Sequence, residues 1–302
     1  MSTVDIPQTP TLDLSSSVSL RRRSRDVVFL GVLWLAVLVA IATLATLLID
    51  TFVTGRSRLN LDLLRNFPSP FAEDAGIQSA IYGTLWVVIP AGVTTLIVAV
   101  CTAIFLEEFA SPNSRFQRFI ELCIQTLAGV PSVVFGIMGL AFIARGPLGW
   151  GFTVATASAT LGIMILPVMI VSTREAIRAV PTGLREGAYA LGATKWQAIY
   201  RQVLPASVPG IATGSILGVS RAIGESAPLI MLGALAFVSF NPSGFGDYYT
   251  VMPLAIFKYA TEADTDFQAV AAAAIIVLLI LLFLLNLIAI LIRDLSRKNR
   301  SW

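Results

Sequence analysis

Residues 186–205 read EGAYALGATKWQAIYRQVLP, a polar and charged segment in a chain that is otherwise almost continuously apolar. An acidic residue is followed six positions later by Gly192, and a Leu-Pro pair comes twelve positions after that glycine. Glycine permits a sharp turn between two short helices, and small side chains let another backbone approach closely. The spacing predicts a helix–turn–helix that docks into a groove of another protein; the alternative is a generic loop between helices. The pattern is carried by Glu186, Gly187, Ala188, Gly192, Leu204 and Pro205.

The composition is that of a polytopic membrane protein. Of 302 residues, 56% are hydrophobic and 13% are charged, far from the proportions of soluble domains. Runs of about 20 apolar residues recur, which is the length that crosses the hydrocarbon of a bilayer. Such segments must be helical, because an open sheet leaves backbone groups unsatisfied in lipid. The predicted spans are 27–49, 78–106, 121–144, 152–172, 206–237 and 268–292.

The distribution of Lys and Arg predicts the orientation. Fifteen cations fall on the side that holds both termini, and five fall on the other side. Cytoplasmic loops of membrane proteins carry the excess of Lys and Arg. The chain is therefore expected to cross the plasma (inner) membrane several times, with both termini in the cytoplasm. The net charge of +3 is therefore a topology signal. A nucleic-acid partner would need a basic face with stacking aromatics, and no such pattern is present.

Several chemistries are excluded by residues that the chain lacks. It has no histidine, which removes His-ligated zinc, catalytic triads and histidine proton shuttles. Its two cysteines, Cys101 and Cys123, do not indicate a disulfide scaffold. It also lacks the Gly-rich loop ending in Lys-Ser/Thr that holds nucleotide phosphates, so it is not expected to hydrolyse ATP. The sequence predicts no metal, no cofactor and no enzymatic activity.

Four segments follow from these patterns. Residues 1–26 are expected to form a disordered cytoplasmic tail, because residues 1–20 are rich in Ser, Thr and Pro without apolar periodicity. Residues 27–76 are expected to hold an anchor helix and an external segment. A transmembrane domain of five helices is expected over 77–293. It includes a loop at 181–205 that contains the docking segment described above. A basic cytoplasmic tail is expected over 294–302.

The fifth predicted span carries two charged residues, Arg221 and Glu225, at an i,i+4 spacing that lets their side chains meet. Arg221 lies 16 residues after Pro205, which is roughly 24 Å along a helix and well inside a bilayer. A stripe of small residues runs beside the pair and favours close packing of another helix. The pair is either a structural ion bridge or a charged lining for an anion path. The stripe consists of Gly210, Gly214, Gly218, Ala222 and Ser226.

Three further expectations concern single features. Pro131 is expected to kink the third span. Glu107 and Glu108 are expected to be a solvated helix end or to contact another protein or the neighbouring loop. The aromatic residues of the external segment 247–260 are expected to form an interfacial belt or a docking surface for an external protein; they are Tyr248, Tyr249, Phe257 and Tyr259.

The segment 186–205 resembles the EAA loop, the cytoplasmic signature of ABC importer permeases. It departs from that motif where Gly187 replaces the usual first Ala and Gln202 replaces the usual aliphatic residue. The stretches CTAIFLEEFA at 101–110, LAGVPSVVFG at 127–136 and SRAIGESAPLI at 220–230 resemble phosphate-specific ABC importers, and among their two permease subunits the PstA type. The similarity covers nearly everything after residue 26.

The resemblance implies an all-α membrane protein with a type I, MetI-like core of five helices and an N-terminal anchor helix. It implies phosphate transport through a path formed with a homologous PstC-type permease. The other implied partners are a dimeric cytoplasmic PstB-type ATPase, an external phosphate-binding protein of the PstS type and membrane lipid. The substrate path would include Arg221 and Glu225, and ATPase coupling would use the residues of the loop named above. For Glu107 and Glu108, the protein contacted would be the ATPase.

Four other readings are possible. The chain could be the PstC-type partner, or a permease for another oxyanion such as sulfate or molybdate. A secondary carrier or channel would instead be driven by an ion gradient and be insensitive to loss of an ATPase. A membrane enzyme is disfavoured because no histidine and no Ser–Lys pair lies in mid-membrane. A sensory role could coexist with transport.

Overall fold

The computed structural model describes residues 20–111, 114–234 and 238–298, which are helical and contain no strand in these ranges. A 3₁₀ turn spans Arg56–Arg58, and π-helical turns span Phe105–Phe109, Gly139–Ala144 and Ile199–Val203. The α-helices are α1 (Leu20–Gly55), α2 (Leu61–Arg65), α3 (Gln78–Ile104), α4 (Arg115–Ala128), α5 (Ser132–Met138), α6 (Val154–Arg178), α7 (Thr182–Ala190), α8 (Lys195–Ala198), α9 (Leu204–Gly224), α10 (Ala227–Met231), α11 (Met252–Thr261) and α12 (Asp266–Lys298).

The six predicted spans correspond to five continuous helical segments and one bent pair among the described residues. The third span is not continuous, because α4 meets the segment Ser132–Ala144 at an angle of 107°. The break falls at 129–131, where Pro131 precedes the first residue of α5. Proline has no backbone N–H and disfavours helix in the residue before it, so the predicted kink becomes a full break. The continuous segments are Asp26–Arg58, Gln78–Phe109, Val154–Arg178, Lys195–Gly224 and Asp266–Leu291.

The chain divides into two units, residues 1–50 and 51–302. In the first unit, the apolar side chains of α1 between residues 27 and 50 are exposed, a pattern that fits the predicted anchor helix. The predicted tail 1–26 ends earlier than expected, since α1 begins at Leu20; residues 1–19 lie outside the described residues. In the second unit, α12 continues to Lys298, well into the predicted basic tail 294–302, and residues 299–302 are not described.

Helix α6 occupies the centre of the second unit, packed between α3 and α9. Ser158 Oγ donates a 2.9 Å hydrogen bond to the carbonyl of Val87 on α3. A Cβ on Gly162 would lie 2.9 Å from Thr95 Oγ1, so only glycine allows α3 this close. Small and hydroxyl-bearing residues thus replace the bulky apolar contacts of a soluble core, as is typical of helices packed in lipid.

The small-residue stripe of α9 packs against α6, which confirms the predicted close helix junction. A Cβ on Gly210 would lie 2.6 Å from Ala176 Cβ, and one on Gly218 would lie 2.9 Å from Met169 Cγ. Between them, Gly214 faces Ser172 at still closer range. Any larger side chain in this seam would push the two helices apart.

The fifth predicted span ends at Gly224, thirteen residues before its expected limit at 237. The chain leaves the helical conformation at Glu225, which has φ −84° and ψ 121°, and resumes as the short helix α10. Helix α10 packs against α5, where a Cβ on Gly136 would lie 2.6 Å from Pro228 Cα. The two interrupted spans therefore meet at their short helices.

Candidate functional site

The loop 181–205 folds as the helix–turn–helix that its sequence predicts. Helix α7 ends at Ala190, the chain turns at Leu191 and Gly192, and α8 begins at Lys195. Gly192 has φ +80°, a left-handed conformation that side-chain-bearing residues rarely adopt. Thr194 then caps α8, because its Oγ accepts from the N–H of Gln197 while the Gln197 side chain accepts from the N–H of Thr194.

The tip of this loop is an exposed surface of small and apolar residues. Leu191 is 91% exposed, and Trp196 and Tyr200 are 60% and 63% exposed. A Cβ added at Gly187 or Gly192 would meet nothing within 4 Å. Of the other predicted coupling residues, Glu186 is exposed, whereas Ala188, Leu204 and Pro205 are half-buried. An exposed Leu and two aromatics beside open glycine backbone form a surface suited to a partner groove.

One buried ion pair fastens α7 to the end of α3. Arg185 pairs with Glu108 at 3.0 Å, and their side chains are only 18% and 8% exposed. The same guanidinium donates to the carbonyls of Val180 and Ile177 at 2.8 and 2.9 Å. Because the planar guanidinium of Arg185 donates to three acceptors at once, its side chain is held in one orientation. The expected contact between the Glu107–Glu108 pair and the neighbouring loop is therefore present, and Arg185 is a site residue that the loop motif alone did not reveal.

A second cluster joins three helices at the same level. Arg174, near the end of α6, pairs with Glu107 at 2.6 Å and with Glu121 of α4 at 2.7 Å. Arg178 pairs with the other oxygen of Glu107 at 2.8 Å. The Arg174 and Glu107 side chains are 11% and 13% exposed, whereas Arg178 is 51% exposed. The expected solvated helix end is thus wrong for Glu107, because neighbouring helices cover and neutralise its carboxylate.

The pair Arg221–Glu225 forms, but in a different setting from the one expected. The Arg221 Nε lies 3.4 Å from Glu225 Oε1, with the side chains 43% and 20% exposed. Because α9 ends at Gly224, the pair sits at the C-terminal end of that helix and not within a span that continues to 237. The carbonyls of the last helical turn have no helical partner, and a cation there is favourable.

The segment 247–260 packs inward more than its aromatic composition indicates. Tyr249 and Tyr259 are each 1% exposed, so a belt or docking role is wrong for these two, while Tyr248 and Phe257 are exposed. The Tyr259 hydroxyl donates to the carbonyl of Gly76 at 2.8 Å. Burial raises the pKa of Tyr249 above its ordinary value. These two tyrosines hold the segment against the helices.

Comparison with known proteins shows what this architecture is. A family model described as "Binding-protein-dependent transport system inner membrane component" matches residues 96–297. The "Phosphate transport system permease protein PstA" of Mycobacterium leprae (strain TN) is 32% identical over 254 residues, covering 82% of this chain and 81% of that protein. The "Probable ABC transporter permease protein YqgI" of Bacillus subtilis (strain 168) is 30% identical over 241 residues, covering 80% and 81%.

Solved structures of ABC transporters have the same fold. A chain of the MetNI methionine ABC transporter, in an inward-facing conformation, matches with a TM-score of 0.61 and 18% identity over 73% of this chain and 95% of that one. A chain of a bacterial alginate ABC transporter matches with a TM-score of 0.65 and 16% identity over 89% and 94%. With its transmembrane helices, its helix–turn–helix loop and these relatives, the chain belongs to the binding-protein-dependent transport system inner membrane components, as an ABC importer permease of the PstA type.

Proposed function

We propose that this permease forms the translocation path of an ATP-driven phosphate importer together with a PstC-type permease. Two copies of a PstB-type ATPase would bind on the cytoplasmic side, and a PstS-type binding protein would deliver phosphate from outside. Support for the substrate comes from the PstA relatives, whose names describe phosphate transport. The Lys and Arg distribution supports cytoplasmic termini and hence a cytoplasmic position for the loop 181–205.

The observation that carries the proposal is the loop itself. Its exposed tip includes Leu191 and Trp196, and its base is fixed to α3 through Arg185 and Glu108. A displacement of the tip would be transmitted to α3, because packed elements that are joined by a covered ion pair move together. ATPase closure would thus move α7, and α7 would displace the cytoplasmic ends of α3 and α6.

The substrate step is assigned to Arg221. Its guanidinium is always charged and presents several donors to a phosphate oxyanion. At the helix end it is partly accessible, and its contact with Glu225 is a single ion pair at 3.4 Å. Transporter substrate sites are commonly built at interrupted helices, and α9 is interrupted just after Arg221; the C-terminal end of a helix is itself negative, so the guanidinium and not the helix terminus would meet the anion. A weak internal partner lets the arginine exchange between Glu225 and a passing anion without binding the anion permanently.

The test uses an affinity-tagged full chain expressed with its candidate partners. We expect an ATPase and a second permease to co-purify, and the assembly in proteoliposomes to take up radiolabelled phosphate only with ATP and the binding protein. Excess sulfate or molybdate should not compete. Uptake that follows an ion gradient and persists without the ATPase would establish a secondary carrier instead.

A matched pair of variants tests the docking tip. Leu191→Asp places a charge on the exposed surface, and Asn60→Asp makes the same change of charge at the exposed N-cap of α2, far from the loop in sequence. We expect the first variant to lose the ATPase on purification and the second to retain it. Equal recovery of the ATPase in both variants would remove the tip from the coupling surface.

A further inference from the structure

Helix α4 has one face on the protein and a large surface that no described residue covers. At 100° per residue, Gln117, Glu121 and Ile124 share one side. Gln117 and Ile124 are buried, and Glu121 pairs with Arg174 of α6. Arg174 lies one helical turn before the end of α6, so the contact fixes α4 beside the C-terminal end of that predicted span.

The opposite surface of α4 is apolar and aromatic. Phe116, Phe119 and Leu122 are 61%, 64% and 58% exposed. Phe116 also meets Phe105, in the π-helical turn after α3, edge to face with ring centroids 6.4 Å apart. Aromatic side chains at the end of a membrane helix are favoured at the boundary between headgroups and acyl chains.

Two arginines lie among these apolar residues. Arg115 and Arg118 are exposed, and neither forms an ion pair within the described residues. Both lie on the predicted cytoplasmic side, where the bilayer surface is negative. Helix α4 also meets the following helical segment at 107°, so it runs across that segment and does not continue it. A polar, cationic side beside an aromatic side is the pattern of a helix that lies in the membrane interface.

We propose that α4 is an interfacial helix that binds anionic phospholipid of the cytoplasmic leaflet. Arg115 and Arg118 hold the phosphate headgroup, and Phe116 and Phe119 enter the upper acyl region. Lipid is favoured over a protein groove because the cations and the aromatics lie side by side along the helix. A bilayer surface has the same arrangement, with anionic headgroups next to apolar acyl chains. The proposal does not depend on the transported substrate.

The first test counts bound lipid. The full chain is reconstituted in bilayers of equal parts phosphatidylcholine and phosphatidylglycerol, and the lipid retained on extraction is measured by native mass spectrometry. Arg115→Gln with Arg118→Gln should lower retained phosphatidylglycerol by about tenfold or more, since each cation near an anionic surface contributes about 1 kcal/mol. The Lys double variant should retain most of the lipid. Arg56→Gln with Arg65→Gln, which removes two exposed cations away from α4, should lower the retained phosphatidylglycerol much less, because no exposed aromatic pair of the described residues lies beside them to enter the acyl region.

The second test measures depth. Cys101→Ser leaves Cys123 as the single cysteine, two turns after Phe116 on the same side of α4. A nitroxide at this cysteine should report a depth of about 5–10 Å below the headgroups. Unchanged lipid retention in the Gln double variant, or a label with the accessibility of bulk water, would overturn the proposal. The Gln double variant is also purified after expression with the second permease; loss of that subunit, with lipid retention unchanged, would assign the face to a protein partner and also overturn the proposal.

Discussion

The second unit contains arginine–glutamate pairs at two places that differ in their surroundings. Near the end of α6, Arg174 contacts two carboxylates at 2.6 and 2.7 Å and is 11% exposed. At the end of α9, Arg221 contacts one carboxylate at 3.4 Å and is 43% exposed. The chemical groups are the same at both places. The contacts of Arg174 connect three separate helical elements, whereas the contact of Arg221 connects two residues that are four apart in the chain.

This difference separates structural from exchangeable ion pairs. A covered arginine with several short contacts leaves uncompensated charge behind if it is removed, so its loss is strongly destabilising. A partly exposed pair contributes little to stability, because water screens both partners. The covered cluster is therefore suited to transmitting force, and Arg221 is suited to releasing Glu225 for another anion.

The largest expected effect is on stability, from Arg174→Gln. The substitution leaves the covered Glu107 carboxylate with only Arg178, and we expect the free energy of unfolding to fall by about 3 kcal/mol. Arg178→Gln is the control: its side chain is 51% exposed, and the loss should stay within about 1 kcal/mol. Denaturant unfolding of both variants in the same detergent gives the comparison. Similar losses would show that burial does not distinguish the two arginines.

The next effect is on transport, from Arg221→Gln. Stability should change little, while phosphate uptake should fall at least tenfold, since a hydrogen bond to a charged group contributes about 1.5–3 kcal/mol. Uptake of radiolabelled phosphate in cells without other phosphate carriers, normalised to the membrane level of the protein, measures it. Near-native uptake would leave the pair a structural role only.

A charge swap sharpens this result. Arg221→Glu with Glu225→Arg keeps the ion pair but moves the cation beyond Gly224, the last residue of α9. If the pair only stabilises the helix end, the swap should restore uptake. If an anion must meet the cation at position 221, uptake should stay low.

The sequence predicts some of these features better than others. Span lengths and the glycine stripe follow from hydropathy and spacing, so the packing of α9 on α6 could be predicted. Hydropathy does not predict the end of α9 at Gly224, because residues 227–237 remain apolar and an average over 20 residues cannot register a break. The signal for this end is local and lies in Gly224 and Pro228. Tyr249 and Tyr259 were placed at an interface by composition, although burial depends on contacts with distant residues such as Gly76.

The ion-pair cluster was only partly predictable for a related reason. Glu107 and Arg174 are separated by 67 residues in the chain, and Glu121 and Arg174 by 53. No local spacing rule links residues so far apart. The charge of Glu107 and Glu108 at the end of a span was visible, but the identity of their partners required the fold.

A smaller effect on transport is expected from Arg185→Gln, which removes the ion pair between α7 and the end of α3. Glu108 is only 8% exposed and loses its cation, and the carbonyls of the buried residues Val180 and Ile177 each lose a donor, so a loss of stability similar to that of Arg174→Gln is expected as well. The distinctive result should be uncoupling: ATPase still co-purifies, ATP hydrolysis continues, and phosphate uptake per ATP hydrolysed falls several-fold. Arg185→Lys should recover little, because a single ammonium cannot reach three acceptors. Parallel loss of hydrolysis and uptake would contradict a force-transmitting role.

The smallest effect concerns the loop tip, where Gly192→Ala tests conformation without bulk. A φ of +80° is unfavourable for alanine by about 1–2 kcal/mol, and the space around Gly192 is open, so strain is confined to the turn. The free and the ATPase-bound loop share most of this strain, so ATPase binding should weaken by no more than about twofold, while the unfolding of the helical core stays unchanged. Gly192→Leu adds bulk at the same φ, and Gly187→Leu adds bulk where φ is not left-handed. If the docking groove accepts only small residues, both Leu variants should bind the ATPase more weakly than Gly192→Ala. Titration of the purified ATPase against each variant measures the order of their binding affinities. Normal binding of Gly187→Leu would show that only substitutions in the turn weaken ATPase binding, and it would exclude a close-packed groove along α7.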